Sequence, residues 1–359
     1  MTGRPRSNVA EVPAYRPGRS AAQAEAEYGI AEAIKLASNE LPHGPLPSVA
    51  GAVAAGIESV HLYPDARSTE LRESIAGFHG VDVSHVAVGA GSVGILQQLV
   101  LAYCDPGDEI AMCWPSFEAY PLLAQLAGAR QVRVPLADER FDLVALADAV
   151  TAATKLAFVT NPNNPTGTAV TTDEVVRFLE SVPPTCLVVL DEAYAEFVTD
   201  PGVTASEPLL DRFDNLVITR TFSKAHGLAS LRVGYALAHP EVAGMIDRTL
   251  VPFALNDMAQ RAAVASLGAI DEMRTRVAEV VAERTRVARE LRTRGWTVPD
   301  PQGNFVWLPL GERSAEVGVE LERRGVVTRA FPEVGVRITV ADAAGNDRLI
   351  AALAEIAPD

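Results

Sequence analysis

One lysine stands among hydroxyls and small residues in the run Thr221-Phe222-Ser223-Lys224-Ala225-His226-Gly227-Leu228-Ala229-Ser230-Leu231-Arg232. A lysine amine becomes a Schiff-base nucleophile when desolvation or a neighbouring cation lowers its pKa. Thr221, Ser223 and Arg232 around that amine are contacts suited to a phosphate. Read alone, the segment also fits a solvated lysine in a basic loop. Leu190-Asp191-Glu192-Ala193-Tyr194 supplies a second reactive position. A carboxylate closing an apolar strand is costly without a partner, and Asp191 suits a protonated ring nitrogen or a metal. The six histidines are scattered singly, so no metal site is expected. Tyr194 comes close to Asp191 if a helical turn begins there.

Two further motifs supply backbone rather than nucleophiles. Asn161-Pro162-Asn163-Asn164-Pro165-Thr166-Gly167 follows an apolar run. Its prolines and glycine dictate a rigid turn, and its Asn side chains can hydrogen-bond a ligand oxygen. A plain turn is the alternative. Gly89-Ala90-Gly91-Ser92-Val93-Gly94 matches the dinucleotide-binding pattern and opens an apolar helix. A nicotinamide-dependent dehydrogenase is therefore a second candidate class. Against it, Asp105, Asp108 and Glu109 precede the next apolar run, where a dinucleotide site needs an acidic residue ending that strand. What survives is general: small residues at a helix N-terminus expose N–H groups that cradle a phosphate.

Elements must hold these residues together. Short apolar runs at 86–88, 109–113, 131–134, 155–160, 186–190, 216–219 and 233–237 alternate with amphipathic stretches. That rhythm predicts an α/β domain around a mostly parallel seven-stranded sheet. Residues 241–294 read as helical, with 272–294 largely exposed. Strands at 304–308, 326–328 and 336–340 and a helix from about 346 predict a smaller α+β domain. Residues 1–33 read as an extended arm with little core. The expected division is an arm over 1–47 that joins the small domain, a large domain over 48–250 and a small domain over 251–359.

Composition narrows the partners. The chain has 359 residues and a formal net charge of -15, which repels nucleic acid and anionic lipid. Three cysteines without a CxxC pair point to a reducing cytoplasm, and the N-terminus lacks a signal peptide's apolar core. The uncharged stretch 86–104 contains glycines and glutamines and reads as strand, turn and helix rather than a membrane span.

In order, these segments resemble the fold-type I pyridoxal-phosphate aminotransferases, and within them the histidinol-phosphate aminotransferase family. The similarity runs over nearly the whole chain. Leu36-Ala37-Ser38-Asn39-Glu40, Tyr63-Pro64-Asp65, the Gly-rich turn, the NPNNPTG turn, DEAY, the Lys224 segment, Asn304-Phe305 and Val336-Arg337-Ile338-Thr339-Val340 carry it. The resemblance implies that Lys224 holds pyridoxal 5′-phosphate as a Schiff base and shuttles a proton at the substrate α-carbon. It implies that Asp191 pairs with the pyridinium nitrogen, and that Tyr194 and Asn164 bond the phenolic oxygen. Ser92 and the Val93 amide after Gly91, with Thr221, Ser223 and Arg232, hold the phosphate, and Phe117 stacks on the ring. Tyr63 reaches the phosphate of a neighbouring subunit, so the active unit is a homodimer. Arg337 clamps the substrate α-carboxylate.

The substrate reading departs from a typical histidinol-phosphate enzyme. Val93-Gly94 stands where that family has Asp-Glu or Asn-Glu, Leu62 precedes Tyr63 in place of arginine, and His226 follows Ala225 where the family has tyrosine or phenylalanine. Gly91-Ser92-Val93, Gln97-Gln98-Leu99, Trp114-Pro115-Ser116-Phe117 and Phe305-Val306-Trp307-Leu308 look more like the aromatic amino acid (phenylalanine) aminotransferase branch. Phenylalanine, tyrosine or tryptophan is the expected donor, with 2-oxoglutarate as acceptor. Histidinol phosphate is the alternative, because Arg329 matches an arginine that helps hold its phosphate; Arg329 also suits the side-chain carboxylate of glutamate. A decarboxylase, a lyase or a non-catalytic binding protein shares the same cofactor residues.

Overall fold

The computed structural model describes residues 3–4, 6–12 and 18–358. Part of the N-terminal arm, residues 13–17, lies outside the described residues. In chain order the strands are β1 (Ile34–Lys35), β2 (Val86–Gly89), β3 (Glu109–Trp114), β4 (Arg130–Pro135), β5 (Thr154–Thr160) and β6 (Leu187–Asp191). They continue as β7 (Leu216–Thr221), β8 (Gly234–Ala238), β9 (Phe305–Leu308), β10 (Val326–Val327), β11 (Arg329–Phe331) and β12 (Gly335–Thr339).

Seven strands form the central sheet in the order β2-β8-β7-β6-β5-β3-β4. Strand β8 runs antiparallel to both neighbours, and the other pairs are parallel. Continuous apolar runs are what such a sheet demands, because helices cover both faces. Alternate residues divide accordingly. Val188, Leu190, Leu216 and Ile218 enter one buried cluster, while Leu187, Val189 and Val217 enter the other. The expected α/β architecture with a mostly parallel seven-stranded sheet is the one observed. The stretch 86–104 is β2, a turn and the helix Gly91–Tyr103. Among the described residues no helix is long and apolar enough to cross a membrane, and all three cysteines are unpaired.

Two expectations need correction. The arm is not merely extended: helix Ala21–Tyr28 opens with a reciprocal Ser20/Gln23 capping box and buries Ala24. Beyond it, β1 pairs in parallel with β10, Ile34 opposite Val326, a two-residue match too short to leave a periodic signal. The stretch 241–294 is three helices, Pro240–Arg248, Asp257–Gly268 and Ile270–Thr293. The last is half-buried rather than largely exposed, because Met273, Val277, Val280, Val287 and Leu291 form a stripe at helical spacing. Arg284 on that stripe is buried, its Nη1 donating to the carbonyls of Phe197 (2.7 Å) and Gly303 (2.9 Å). It thereby ties the helix to the turn after Tyr194 and to the start of β9. Strands β11, β12 and β9 form an antiparallel sheet in that order. The first of them is only three residues long and has no sequence signature.

Candidate active site

Parallel strands present their C-terminal ends on one edge of the sheet, where α/β proteins bind ligands. Asp191 ends β6, Thr221 ends β7, and the NPNNPTG turn follows β5 directly. The N-terminus of helix Gly91–Tyr103 and residues of β11 and β12 face the same edge. Together they enclose a cavity of about 290 Å³. Of the fourteen residues singled out in the sequence, all but Gly91 and Tyr63 line it.

The Lys224 Nζ donates to the carbonyls of Ser38 and Asn39, both at 3.1 Å. Burial, followed by the nearby Arg337 charge, lowers its pKa to about 7. Asp191 is 2% exposed. Its Oδ2 accepts a hydrogen bond from the Tyr120 hydroxyl at 2.8 Å, whereas its buried Oδ1 has no hydrogen-bond partner. Burial raises its pKa to about 6, against the opposing Tyr120 bond. Burial also raises the pKa of Tyr194, whose hydroxyl accepts from Asn39 Nδ2 at 2.9 Å.

Arg337 donates from Nη1 to Asn164 Oδ1 and from Nη2 to the Ala37 carbonyl, each at 2.6 Å. Also lining the cavity, Thr221 Oγ1 donates to Ser223 Oγ at 3.0 Å, and Arg232 Nη1 donates to the same hydroxyl at 3.2 Å. The Arg232 guanidinium packs where a Cβ on Gly91 would sit, and Gly91 has φ +76. Only glycine meets both conditions, so Gly91 shapes the turn without lining the cavity. Phe117 lies edge-to-face on Tyr120, with centroids 5.5 Å apart. Tyr63 is elsewhere: 83% exposed and stacked on Phe253 at 4.6 Å.

Sequence reasoning gave no role to Tyr120, Thr160 or Ser116. The Tyr120 hydroxyl bonds Thr160 at 2.7 Å, and Thr160 bonds Ser116 at 3.0 Å. Tyr120 belongs to the apolar helix Ala119–Ala127 and reads as core in the sequence. Only the tertiary structure shows its contact with Asp191. Asn39 belonged to a flagged motif but had no role. It holds a left-handed φ of 54, which Asn tolerates better than most residues, and its backbone carbonyl also accepts from Asn304 at 3.1 Å.

A sequence model of the family described as aminotransferase class I and II matches residues 31–355. The chain belongs to the class I and II aminotransferases, whose substrates are amino acids and 2-oxo acids and whose cofactor is pyridoxal 5′-phosphate. It is 49% identical to an aromatic amino acid aminotransferase of Streptomyces avermitilis, over 95% of this chain and 94% of that protein. It is 47% identical to another so named from Mycobacteroides abscessus, over 98% of each. Among solved structures it resembles histidinol-phosphate aminotransferase from Sinorhizobium meliloti in complex with pyridoxal-5′-phosphate. That TM-score is 0.90 at 29% identity, covering 99% of this chain and 98% of the other.

The residues present fit that cofactor. The orphaned, buried Asp191 Oδ1 is an acceptor waiting for a donor. The same cavity is lined by hydroxyls, a helix N-terminus and the Arg232 guanidinium, a donor set matched to a phosphate.

Proposed function

We propose that this chain is an aromatic amino acid aminotransferase, moving the amino group of phenylalanine, tyrosine or tryptophan to 2-oxoglutarate in a ping-pong cycle. The observation that carries this reading is a set of relatives 44–49% identical over nearly the full chain that bear that name. The Phe117, Phe305 and Phe331 rings near the cavity support an apolar substrate side chain.

When bound, pyridoxal 5′-phosphate supplies a carbonyl for an amine and a ring that accepts electrons. Lys224 is the base: with a pKa near 7 its amine can both take and return a proton at the substrate α-carbon near neutrality. Asp191, anionic above about pH 6, would hold the proton on the cofactor's ring nitrogen. Tyr194 and Asn164 would bond the phenolic oxygen, and Phe117 would cover one ring face. Ser92 and Val93 at the turn made by Gly91, with Thr221, Ser223 and Arg232, would take the phosphate. Arg337, oriented by Asn164 and the Ala37 carbonyl, would clamp the α-carboxylate. The active unit in this reading is a homodimer in which Tyr63 reaches the partner's phosphate site. Residues 48–250 act as the cofactor-binding domain, and 251–359 with the arm as the smaller one.

Histidinol phosphate is the second reading, supported by the Sinorhizobium likeness and by Arg329 at the cavity. Adding phenylalanine to the holoenzyme tests the first. Loss of absorbance near ~420 nm with release of phenylpyruvate is expected. No change with phenylalanine, but turnover of histidinol phosphate, would reverse the order of the two. Lys224→Ala should abolish turnover; transamination persisting near the original rate would refute its assignment as base.

A further inference from the structure

A ping-pong cycle between an aromatic donor and 2-oxoglutarate passes two unlike side chains through one pocket. One is uncharged and the other ends in a carboxylate. The cavity wall carries two guanidiniums, because Arg329 on β11 lies directly opposite Arg337 in the β11–β12 ladder. Like charges so placed repel. Arg337 is deep, 8% exposed, and committed to Asn164 and Ala37. Arg329 is nearer the rim, and its Nη2 donates to both carboxylate oxygens of Glu118, at 3.0 and 2.9 Å.

Glu118 comes from a different element, immediately before helix Ala119–Ala127, and its side chain does not cap that helix. It also lines the cavity, next to Phe117 in the chain. Its side chain is 42% exposed, against 19% for Arg329. Exchanging this carboxylate for another one is therefore cheap: Glu118 returns to water easily, and the more enclosed guanidinium keeps an anion throughout.

We propose that Glu118 is a specificity-determining counter-ion, holding Arg329 while an aromatic side chain fills the pocket and yielding it to a substrate's distal carboxylate. The proposal rests on the aromatic aminotransferase reading above.

The test uses holoenzyme and two unreactive probes, glutarate and 3-phenylpropanoate, with dissociation constants measured by calorimetry. Glu118→Gln should favour glutarate over 3-phenylpropanoate on the order of tenfold relative to wild type. In an Arg329→Met background the same change should shift that ratio less than about twofold, because the charge it balances is gone. Glu118→Ser repeats the comparison without the hydrogen bond that Gln can retain. An unchanged ratio in both Glu118 variants, or an equal shift with Arg329→Met, would overturn the proposal. The companion kinetic measurement separates the two readings. A shifted ratio in an enzyme that releases no phenylpyruvate from phenylalanine overturns the functional assignment. Normal phenylalanine turnover with an unshifted ratio overturns the role of Glu118.

Discussion

Burial acts on Lys224 and Asp191 in opposite directions, drawing the amine down to about 7 and the carboxyl up to about 6. For the lysine this has a measurable cost in the apoprotein. The folded state gives up its proton near 7, while the unfolded chain keeps it to the ordinary 10.5. Between those values the unfolded chain binds more protons, so stability rises with pH and the cost of the lysine fades. Lys224→Met should therefore raise the apoprotein's Tm at pH 7 by on the order of 3 °C, and the gain should shrink toward pH 10. A gain independent of pH, in thermal unfolding monitored by circular dichroism, would contradict the lowered pKa.

Among elements, the antiparallel strand β8 has a specific bearing on the cavity. Its Gly234 faces the Gly-rich turn so closely that a Cβ there would lie 2.5 Å from the Ser92 amide nitrogen and 2.6 Å from the Gly91 carbonyl carbon. Both are backbone atoms and cannot rotate away. Gly234→Ala should cost roughly 1–3 kcal/mol by overpacking and displace the turn proposed to hold the phosphate. Weaker uptake of pyridoxal 5′-phosphate by the apoprotein, followed by fluorescence titration, accompanies the lowered Tm. Gly244→Ala is the control, because that glycine sits within helix Pro240–Arg248 with nothing within 4 Å of its added Cβ. It should be neutral or stabilise by roughly 0.5–1 kcal/mol. Equal losses in the two variants would remove the special role of β8.

At the scale of the whole molecule, two chain segments rich in exposed apolar residues meet where the exposed Tyr63 stacks on Phe253. Ile57, Val60, Leu62 and Val251 are each about 60–70% exposed, and Phe253 is 43% exposed beneath the Tyr63 ring. Such a surface suits the homodimer proposed above. Sedimentation should give twice the chain mass of 38.1 kDa, and Tyr63→Ala should leave that mass intact while weakening cofactor binding on the order of tenfold. A fully active monomer would refute the shared site.

Much of this was legible without coordinates, for a definite reason. The sheet strands are continuous apolar runs, and cavity-lining residues sit at their ends, so Asp191, Thr221 and the NPNNPTG turn carry both fold and candidate site in local sequence. The short pieces were not legible: β1 and β11 span two and three residues and exist only because a partner strand lies beside them. Nor was the buried stripe of helix Ile270–Thr293 evident beneath its many charges. By itself the sequence singled out Lys224, Asp191 and Tyr194 as candidates and located the seven sheet strands along the chain, because each depends on residue type and short-range periodicity; their order in the sheet is a tertiary fact. The tertiary structure alone decided that Tyr120 supports Asp191, that Asn39 orients Tyr194, and that Glu118 meets Arg329 from 211 positions away. Those pairings depend on which elements pack side by side, and no local pattern encodes them.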